Sequence, residues 1–248
     1  IQVERGAKSG VATILVKQST GERAVFFERS TATEPEFLDT HKQLIGSTYI
    51  LHINGRHRQL MRSAMTVAKE VGTIISLDGG AQRYDEDMKP ITEASHIVIV
   101  ARDYAEKYTG TTNLEEACRI IHERGACIAG VTDGANGSYF VWPDGTFYRC
   151  EPFTQSTVVD TTGAGDSFHG AFLANLVHTI NHMKGQDTTS TTKHDRASIH
   201  AVELLKACAH SDLEKAAIFA SAVASLNTQG IGGRSPLPTL KSVQELIG

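Results

Sequence analysis

The sequence predicts an α/β protein with a mainly parallel sheet. Through the middle of the chain, short apolar and β-branched segments alternate with amphipathic helical segments, as they do in repeated β-α-β units. At residues 11–28 and 137–149, β-branched segments are instead joined by polar turns that contain glycine, which predicts β-hairpins. Because ligands of parallel sheets bind at the carboxyl ends of the strands, we expect the functional residues in the loops that follow those strands.

The predicted elements follow in a simple order. After the first hairpin, apolar strand segments lie at residues 49–53, 73–77, 96–101 and 127–131. Helical periodicity is found at residues 59–71, 114–123 and 213–226. Asn113 is a candidate N-cap for the second of these helices. The polar, Thr- and Ser-rich stretch at about 183–198 predicts a surface insertion.

Composition and charge are those of an ordinary globular protein. The 248 residues are 40% hydrophobic and 21% charged, with a formal net charge of −4. This balance offers no basic surface for nucleic acid or for an anionic membrane, and the apolar segments are too short to cross a bilayer. The cysteines show no zinc spacing and favour free thiols in a reducing cytoplasm; they are Cys118, Cys127, Cys150 and Cys208.

The segment VVDTTGAGDSFHGAFL at residues 158–173 is the most informative about the chemistry of the protein. Gly163, Ala164 and Gly165 form a strand-to-helix turn, where backbone N–H groups can converge on an anion without obstruction by side chains. Phosphoryl transfer needs such an anion hole. Asp166 follows directly and can accept a proton from an attacking hydroxyl. The short motif leaves a second role open, because Asp is also favoured in the first turn of a helix.

The longer string DTTGAGDSFHGAF resembles the C-terminal signature of the ribokinase-like (PfkB) carbohydrate kinases, and the similarity covers nearly the whole chain except the insertion. This resemblance implies a Rossmann-like three-layer core (residues 31–248) and a small β-lid to which residues 1–30 belong. It also implies that ATP and Mg²⁺ support phosphorylation of a hydroxyl on a ketose or furanose-like sugar. The alternatives are a nucleoside kinase of the same family and a binding module with impaired catalysis.

The resemblance assigns roles to single residues. Asp166 corresponds to the family's general base, and the turn at 163–165 corresponds to its anion hole. The six residues TDGANG alone favour an ordinary turn, but the loop follows a strand and lies where the family has its nucleotide loop. The residues expected to contact ATP are Thr132, Gly134, Gly137, Arg56 and Ser221.

Two of these residues also have an alternative interpretation. Arg56 follows a strand in the sequence Asn-Gly-Arg, as in the ketohexokinase-like branch, where the arginine approaches the ATP phosphates; a solvated surface position is the alternative. Ser221 is expected near adenine or ribose, and helix packing is its alternative. The family also holds a monovalent cation such as K⁺ beside the anion hole. The corresponding positions are Asp160, Thr162, Asn227, Gly230 and Ser235.

The chain departs from the family pattern in two places. Ala101 and Tyr104 occupy the Asn and Glu positions of the family's NxxE element, which is linked to Mg·ATP; ketohexokinase-like members also depart there. The family's first strands, with their early sugar-binding Asp and Asn, have no counterpart, so we expect the family domain to be incomplete at its N-terminus. An exposed lid edge would also permit a homodimer.

Three further polar residues lie near the expected site. Asp78 ends a strand, and a helix or turn cap is the favoured interpretation. His52 lies on a strand and is expected to be packed. His169 lies three residues after Asp166 and faces either the core or the edge of the site.

Overall fold

The computed structural model describes residues 3–17, 19, 23–154, 157–186 and 201–248. A two-stranded antiparallel sheet is followed by a six-stranded mixed sheet with the order β3-β4-β5-β6-β7-β8. The strands are β1 (Val11–Val16), β2 (Arg23–Glu28), β3 (Ile50–Ile53), β4 (Ile74–Gly79), β5 (Ile97–Ala101), β6 (Ile128–Thr132), β7 (Ser138–Val141) and β8 (Phe147–Cys150). Strands β3 to β6 are parallel, whereas β7 runs antiparallel to both of its neighbours. The predicted α/β class and both predicted hairpins are confirmed.

Helices cover both faces of the large sheet. They are α1 (Asp39–Gly46), α2 (Arg58–Val71), α3 (Lys89–Glu93), α4 (Arg102–Thr109), α5 (Leu114–Glu123), α6 (Ala164–Gln186), α7 (Ala201–Lys206), α8 (His210–Asn227) and α9 (Leu240–Ile247). Alternate residues of a strand point to opposite faces. In β5, Val98 and Val100 therefore pack against the layer that contains α2, α4 and α5, while Ile97 and Ile99 pack against the layer of α6 and α8. The result is a three-layer structure.

Local sequence explains where two helices begin and end. The Asn113 side chain accepts a hydrogen bond from the Glu116 amide at 3.2 Å, so Asn113 is the N-cap of α5, as predicted. Helix α2 stops at Gly72, which adopts φ 73° and donates its backbone N–H to the last turn. Glycine takes this left-handed conformation without steric penalty.

Several helices are not evident in the sequence pattern. Helix α4 has the polar sequence RDYAEKYT and buries Tyr104, Ala105 and Tyr108. Helix α9 follows α8, so the predicted helix at 213–226 is not the last one. The predicted insertion at about 183–198 begins too early, because α6 continues to Gln186; its remainder lies outside the described residues.

The small β1-β2 sheet is largely exposed. One of its faces presents Val11, Leu15 and Phe26, which are 56%, 58% and 61% exposed. The opposite face is also about half exposed, and there the Arg56 guanidinium lies 5.2 Å from the centre of the Phe27 ring. Within the described residues, no helix is both long and apolar enough to span a membrane.

Candidate active site

A cavity of about 400 Å³ lies between the loop after β6, the segment after β8, the start of α6 and one face of α8. Six of the residues predicted from sequence line it together. They are Thr132, Gly134, Gly137, Ala164, Gly165 and Ser221. The cavity opens at the carboxyl end of β6, where parallel sheets place their ligands.

The loop at residues 132–137 is held by its own hydrogen bonds and by β8. The Asp133 carboxylate accepts hydrogen bonds from Arg102 at 2.9 Å and from the Asn136 amide at 3.0 Å. Gly137 adopts φ 92° and ψ −151° beside the end of β8. A Cβ atom at this position would lie 2.3 Å from the Cys150 carbonyl oxygen, so only glycine fits.

Substituting Gly137 by alanine should therefore displace the loop and weaken nucleotide binding. We expect the dissociation constant for ADP, measured by isothermal titration calorimetry, to rise about tenfold or more, the equivalent of at least about 1.4 kcal/mol. Gly145→Ala is the matched control, because Gly145 has φ 86°, has no neighbour within 4 Å of its Cβ position and lies outside the cavity. Equal losses of ADP affinity in both variants would contradict this account.

One face of α8 forms a wall of the cavity. Ser221 lines the cavity and also donates a long hydrogen bond of 3.4 Å to the Glu151 carbonyl. It therefore has both the expected position at the site and the packing contact that was its alternative. Ser225 donates a 2.7 Å bond to the Phe153 carbonyl and fixes the opposite wall. Sequence reasoning missed several lining residues, and only Ala224, Ser225 and Thr228 had a usable signal, namely their helical spacing after Ser221. The missed residues are Phe153, Val158, Phe168, Ala224, Ser225 and Thr228.

The predicted anion hole forms the start of α6. Gly163 is buried and has φ 80°, and a Cβ atom there would lie 2.4 Å from the Gly233 Cα atom. The Ala164 N–H donates to the Thr161 carbonyl at 3.3 Å. The next N–H groups, of Gly165 and Asp166, belong to the first turn, where an α-helix offers no internal acceptor. They are available to an anion in the cavity.

Asp166 lies on the other side of this turn. Gly165 lines the first cavity, whereas the exposed Asp166 lines a second cavity of about 440 Å³, together with Gly170 and Arg234. Two consecutive residues thus face different spaces. A group held at the turn could receive a nucleophile from the side of Asp166.

Arg56 is not part of the first cavity. It is exposed, and its guanidinium contacts the Phe27 ring of the β1-β2 sheet. The exposed position agrees with the surface alternative, and the contact of Arg56 with the ATP phosphates stays a prediction. Contact with phosphate would require the side chain to leave Phe27.

The residues predicted for a monovalent cation include a buried carboxylate, Asp160. Asp160 is 2% exposed and accepts hydrogen bonds from the Thr162 amide at 2.8 Å and the Gly232 amide at 2.9 Å. Within the described residues, the Asn227 amide and the Thr162 hydroxyl are buried without a hydrogen-bond partner. Unpaired oxygens beside a carboxylate suit a hard cation. Gly230 packs against Pro236, and Ser235 is exposed on the same loop.

At the Glu position of the family's NxxE element, the structure has a buried tyrosine. Tyr104 is fully buried, and its hydroxyl lies 2.7 Å from the Thr92 hydroxyl. Burial raises the pKa of Tyr104 to about 12, so it stays neutral. Among the described residues, no group of three or more His, Cys, Asp or Glu side chains could hold a metal ion. A magnesium cage made by protein side chains alone therefore does not fit these residues.

The three additional polar residues form one cluster. The His169 Nε2 atom lies 3.3 Å from the Asp78 carboxylate, and both side chains are buried. Asp78 is therefore not a helix or turn cap, because its charge is taken up by a side-chain partner. His52 lies on the edge strand β3 and keeps an exposed side, but its ring packs against that of His169 at 5.5 Å.

Comparison with known structures places this architecture among the ribokinase-like α/β folds. The ribokinase of Arabidopsis thaliana complexed with ribose and ATP superimposes with a TM-score of 0.69 at 21% identity, covering 98% of this chain and 70% of that one. Residues 1–240 match the pfkB family carbohydrate kinase profile, and the chain belongs to that family.

Two relatives illustrate the range of the family. The probable fructokinase-2 of Arabidopsis thaliana is 28% identical over 197 residues, which are 71% of this chain and 58% of that protein. The cytidine kinase of Thermococcus kodakarensis is 34% identical over 89 residues, which are 35% of this chain and 31% of that protein. The chain thus spans under three fifths of the fructokinase-like relative's length.

Proposed function

We propose that the protein transfers the γ-phosphoryl group of ATP to a hydroxyl of a ketose or furanose-like sugar. The observation that carries the proposal is the start of α6, where Gly165 lines the enclosed cavity and Asp166 is exposed on the other side of the same turn. Membership of the pfkB family supports the same reaction class.

In this reaction the nucleotide occupies the first cavity, with its base against α8 and its phosphates near the N–H groups of Gly165 and Asp166. Asp166 accepts the proton of the sugar hydroxyl, and the hydroxyl oxygen attacks the γ-phosphorus. The bond to the β-phosphate oxygen breaks, and ADP leaves. The helix dipole and the free N–H groups stabilise the charge that develops on the transferred group.

Two ions belong to the proposal. Mg²⁺ would neutralise phosphate charge as part of the Mg·ATP complex, because it is commonly bound through substrate phosphates and water. K⁺ or a similar cation would be held by Asp160, Thr162, Asn227 and the loop that contains Gly230 and Ser235. We also place the protein in the cytoplasm, because its four free cysteines suit a reducing compartment.

A coupled assay of ADP release with the complete gene product tests the function. Ribose, fructose and related sugars form the first panel, and adenosine and cytidine form the second. Sugar-dependent ADP release is the expected result. Release only with a nucleoside would favour the nucleoside kinase alternative, to which the cytidine kinase similarity points.

A binding module without catalysis is the second candidate function, because Tyr104 stands at the family's Glu position. Calorimetry with ATP, carried out beside the same assay, separates this function from the first. ATP binding without turnover on any acceptor would favour the binding module.

The exposed face of the β1-β2 sheet supports a homodimer. Burying Val11, Leu15 and Phe26 against a second copy would remove a contiguous apolar surface from water. We expect the native protein to be dimeric by sedimentation velocity at micromolar concentration, and Phe26→Glu to shift it to monomer. A circular dichroism spectrum that matches the wild type would show that this variant is folded. A wild-type protein that is monomeric at every concentration would contradict the expectation.

A further inference from the structure

A buried carboxylate connects the start of α6 to the end of β4. Asp78 is only 8% exposed, and its Oδ1 atom lies 3.3 Å from His169 Nε2. His169 follows Asp166 by three residues, so both project from the same side of α6. A carboxylate in such a position is stable only when it is paired. The contact therefore holds the first turns of α6, and Asp166 with them, at a set place over β4.

The same carboxylate connects β4 to the loop that carries Arg56. Its Oδ2 atom lies 3.7 Å from the Arg83 guanidinium. Arg83 crosses directly over Gly80, where a Cβ atom would lie 3.1 Å from its Nε atom, and donates to the Asn54 carbonyl at 3.4 Å. The Asn54 side chain in turn accepts the Arg56 backbone N–H at 3.2 Å.

The strand next to β4 adds a second histidine to this group. His52 Nδ1 lies 3.2 Å from the Ser76 hydroxyl, and the rings of His52 and His169 are 5.5 Å apart. Burial and the neighbouring His169 lower the pKa of His52, while Asp78 and Asp166 act in the opposite direction.

The charge state of Asp78 is set by its partners. Burial alone would raise its pKa, but the hydrogen bond and charge of His169, with Arg83 and His52, outweigh burial and hold the pKa below the ordinary 3.8. Asp78 is therefore ionised at neutral pH. The His169 hydrogen bond is the largest of the influences that lower this pKa, so its loss would raise the Asp78 pKa.

We propose that Asp78 and His169 are positioning residues, which together fix the separation between the Asp166 carboxylate and the Arg56 loop. This inference rests on the proposed function. Neither residue needs to touch the substrate. The network joins three segments distant in the sequence, namely the starts of the loops after β3 and β4 and the first turns of α6. A shift in any of them would change the approach of the acceptor hydroxyl to the phosphoryl group.

The test compares two substitutions at His169 in the complete gene product. His169→Gln keeps an N–H donor at the position of Nε2, whereas His169→Leu removes it and keeps an apolar side chain. We expect the leucine variant to lose kcat on the order of 10²-fold, as small misplacements of reacting groups do, and the glutamine variant to recover most of the loss. His178→Leu, on the exposed side of the same helix, is the matched control and should behave as wild type.

A pH profile separates positioning from simple stability. Ionised Asp78 supports activity, so activity falls when pH drops through its pKa. In His169→Leu we expect the acid limb of kcat to lie at higher pH than in wild type, because the Asp78 pKa is raised. Dissociation constants for ADP, measured by calorimetry, should match wild type in all three variants.

The possible results are distinct. A folded His169→Leu protein with wild-type kcat and pH profile overturns the positioning role. If that variant does not fold, Asp78→Asn and His169→Gln decide, and wild-type kcat in Asp78→Asn then overturns the role. A wild-type protein that turns over neither sugars nor nucleosides overturns the proposed function first, and the positioning role with it.

Discussion

Asp166→Asn should lower kcat for ATP-dependent sugar phosphorylation by about 10²–10⁴-fold, the usual contribution of a general base. The substitution preserves the size of the side chain and its place in the first turn of α6, but the amide cannot accept the hydroxyl proton. Because Asp166 does not line the first cavity, the dissociation constant for ADP should remain close to wild type. Steady-state kinetics and calorimetry measure the two quantities.

A matched variant tests the alternative role of Asp166 as a helix-terminal charge. Asp212 lies in the first turn of α8, as Asp166 does in α6, and contacts Lys215 at 3.4 Å. Asp212→Asn should change stability slightly, by about 0.3–1 kcal/mol, and leave turnover unchanged. If Asp166→Asn behaves in the same way as this control, Asp166 is a helix charge and not the base.

Gly163→Ala should abolish most activity and destabilise the fold. Its φ of 80° disfavours any side chain, and the new Cβ atom would lie 2.4 Å from Gly233 Cα and 2.8 Å from the Gly233 carbonyl oxygen. Backbone atoms cannot rotate away, so the turn itself must move. We expect kcat/KM to fall on the order of 10²-fold or more. The strained conformation alone should lower the free energy of unfolding by about 1–2 kcal/mol, measurable by denaturant titration.

Substitution of the other glycine in this contact, Gly233, is the control. A Cβ atom at Gly233 would meet Gly163 Cα at 3.4 Å, an ordinary van der Waals distance, so Gly233→Ala should be tolerated far better. Gly170→Ala, with open space at its Cβ position inside α6, should stabilise the protein by about 1 kcal/mol. Equal damage from Gly163→Ala and Gly233→Ala would show that the close approach does not limit the turn.

The sequence predicted the fold class because the strands β4 to β6 are continuous apolar segments and the hairpins have clear turns. It also predicted six residues that line the cavity, because the string around Asp166 is long and specific enough to indicate the family. Short polar helices such as α4 were missed, since their packing depends on a few tyrosines and not on a regular apolar stripe.

Other features depend on distances that no local pattern contains. The contact between Asp78 and His169 joins residues 91 positions apart, and each alone resembles an ordinary cap or core residue. The position of Arg56 was predicted from a three-residue motif, which could not reveal the competing ring of Phe27. The open edge of β3 also leaves His52 partly exposed, although its ring packs against His169.

The close approach of Gly163 and Gly233 also bears on how the protein is made. A ribosome adds about 5–20 residues per second, and the α6 turn cannot rest against its partner until the segment around Gly233 has left the exit tunnel. Nascent chains that end before this segment would already contain all strands of the six-stranded sheet but would lack the completed turn at the start of α6. Capture of a nucleotide by the growing polypeptide should therefore begin only after the segment around Gly233 has been synthesised.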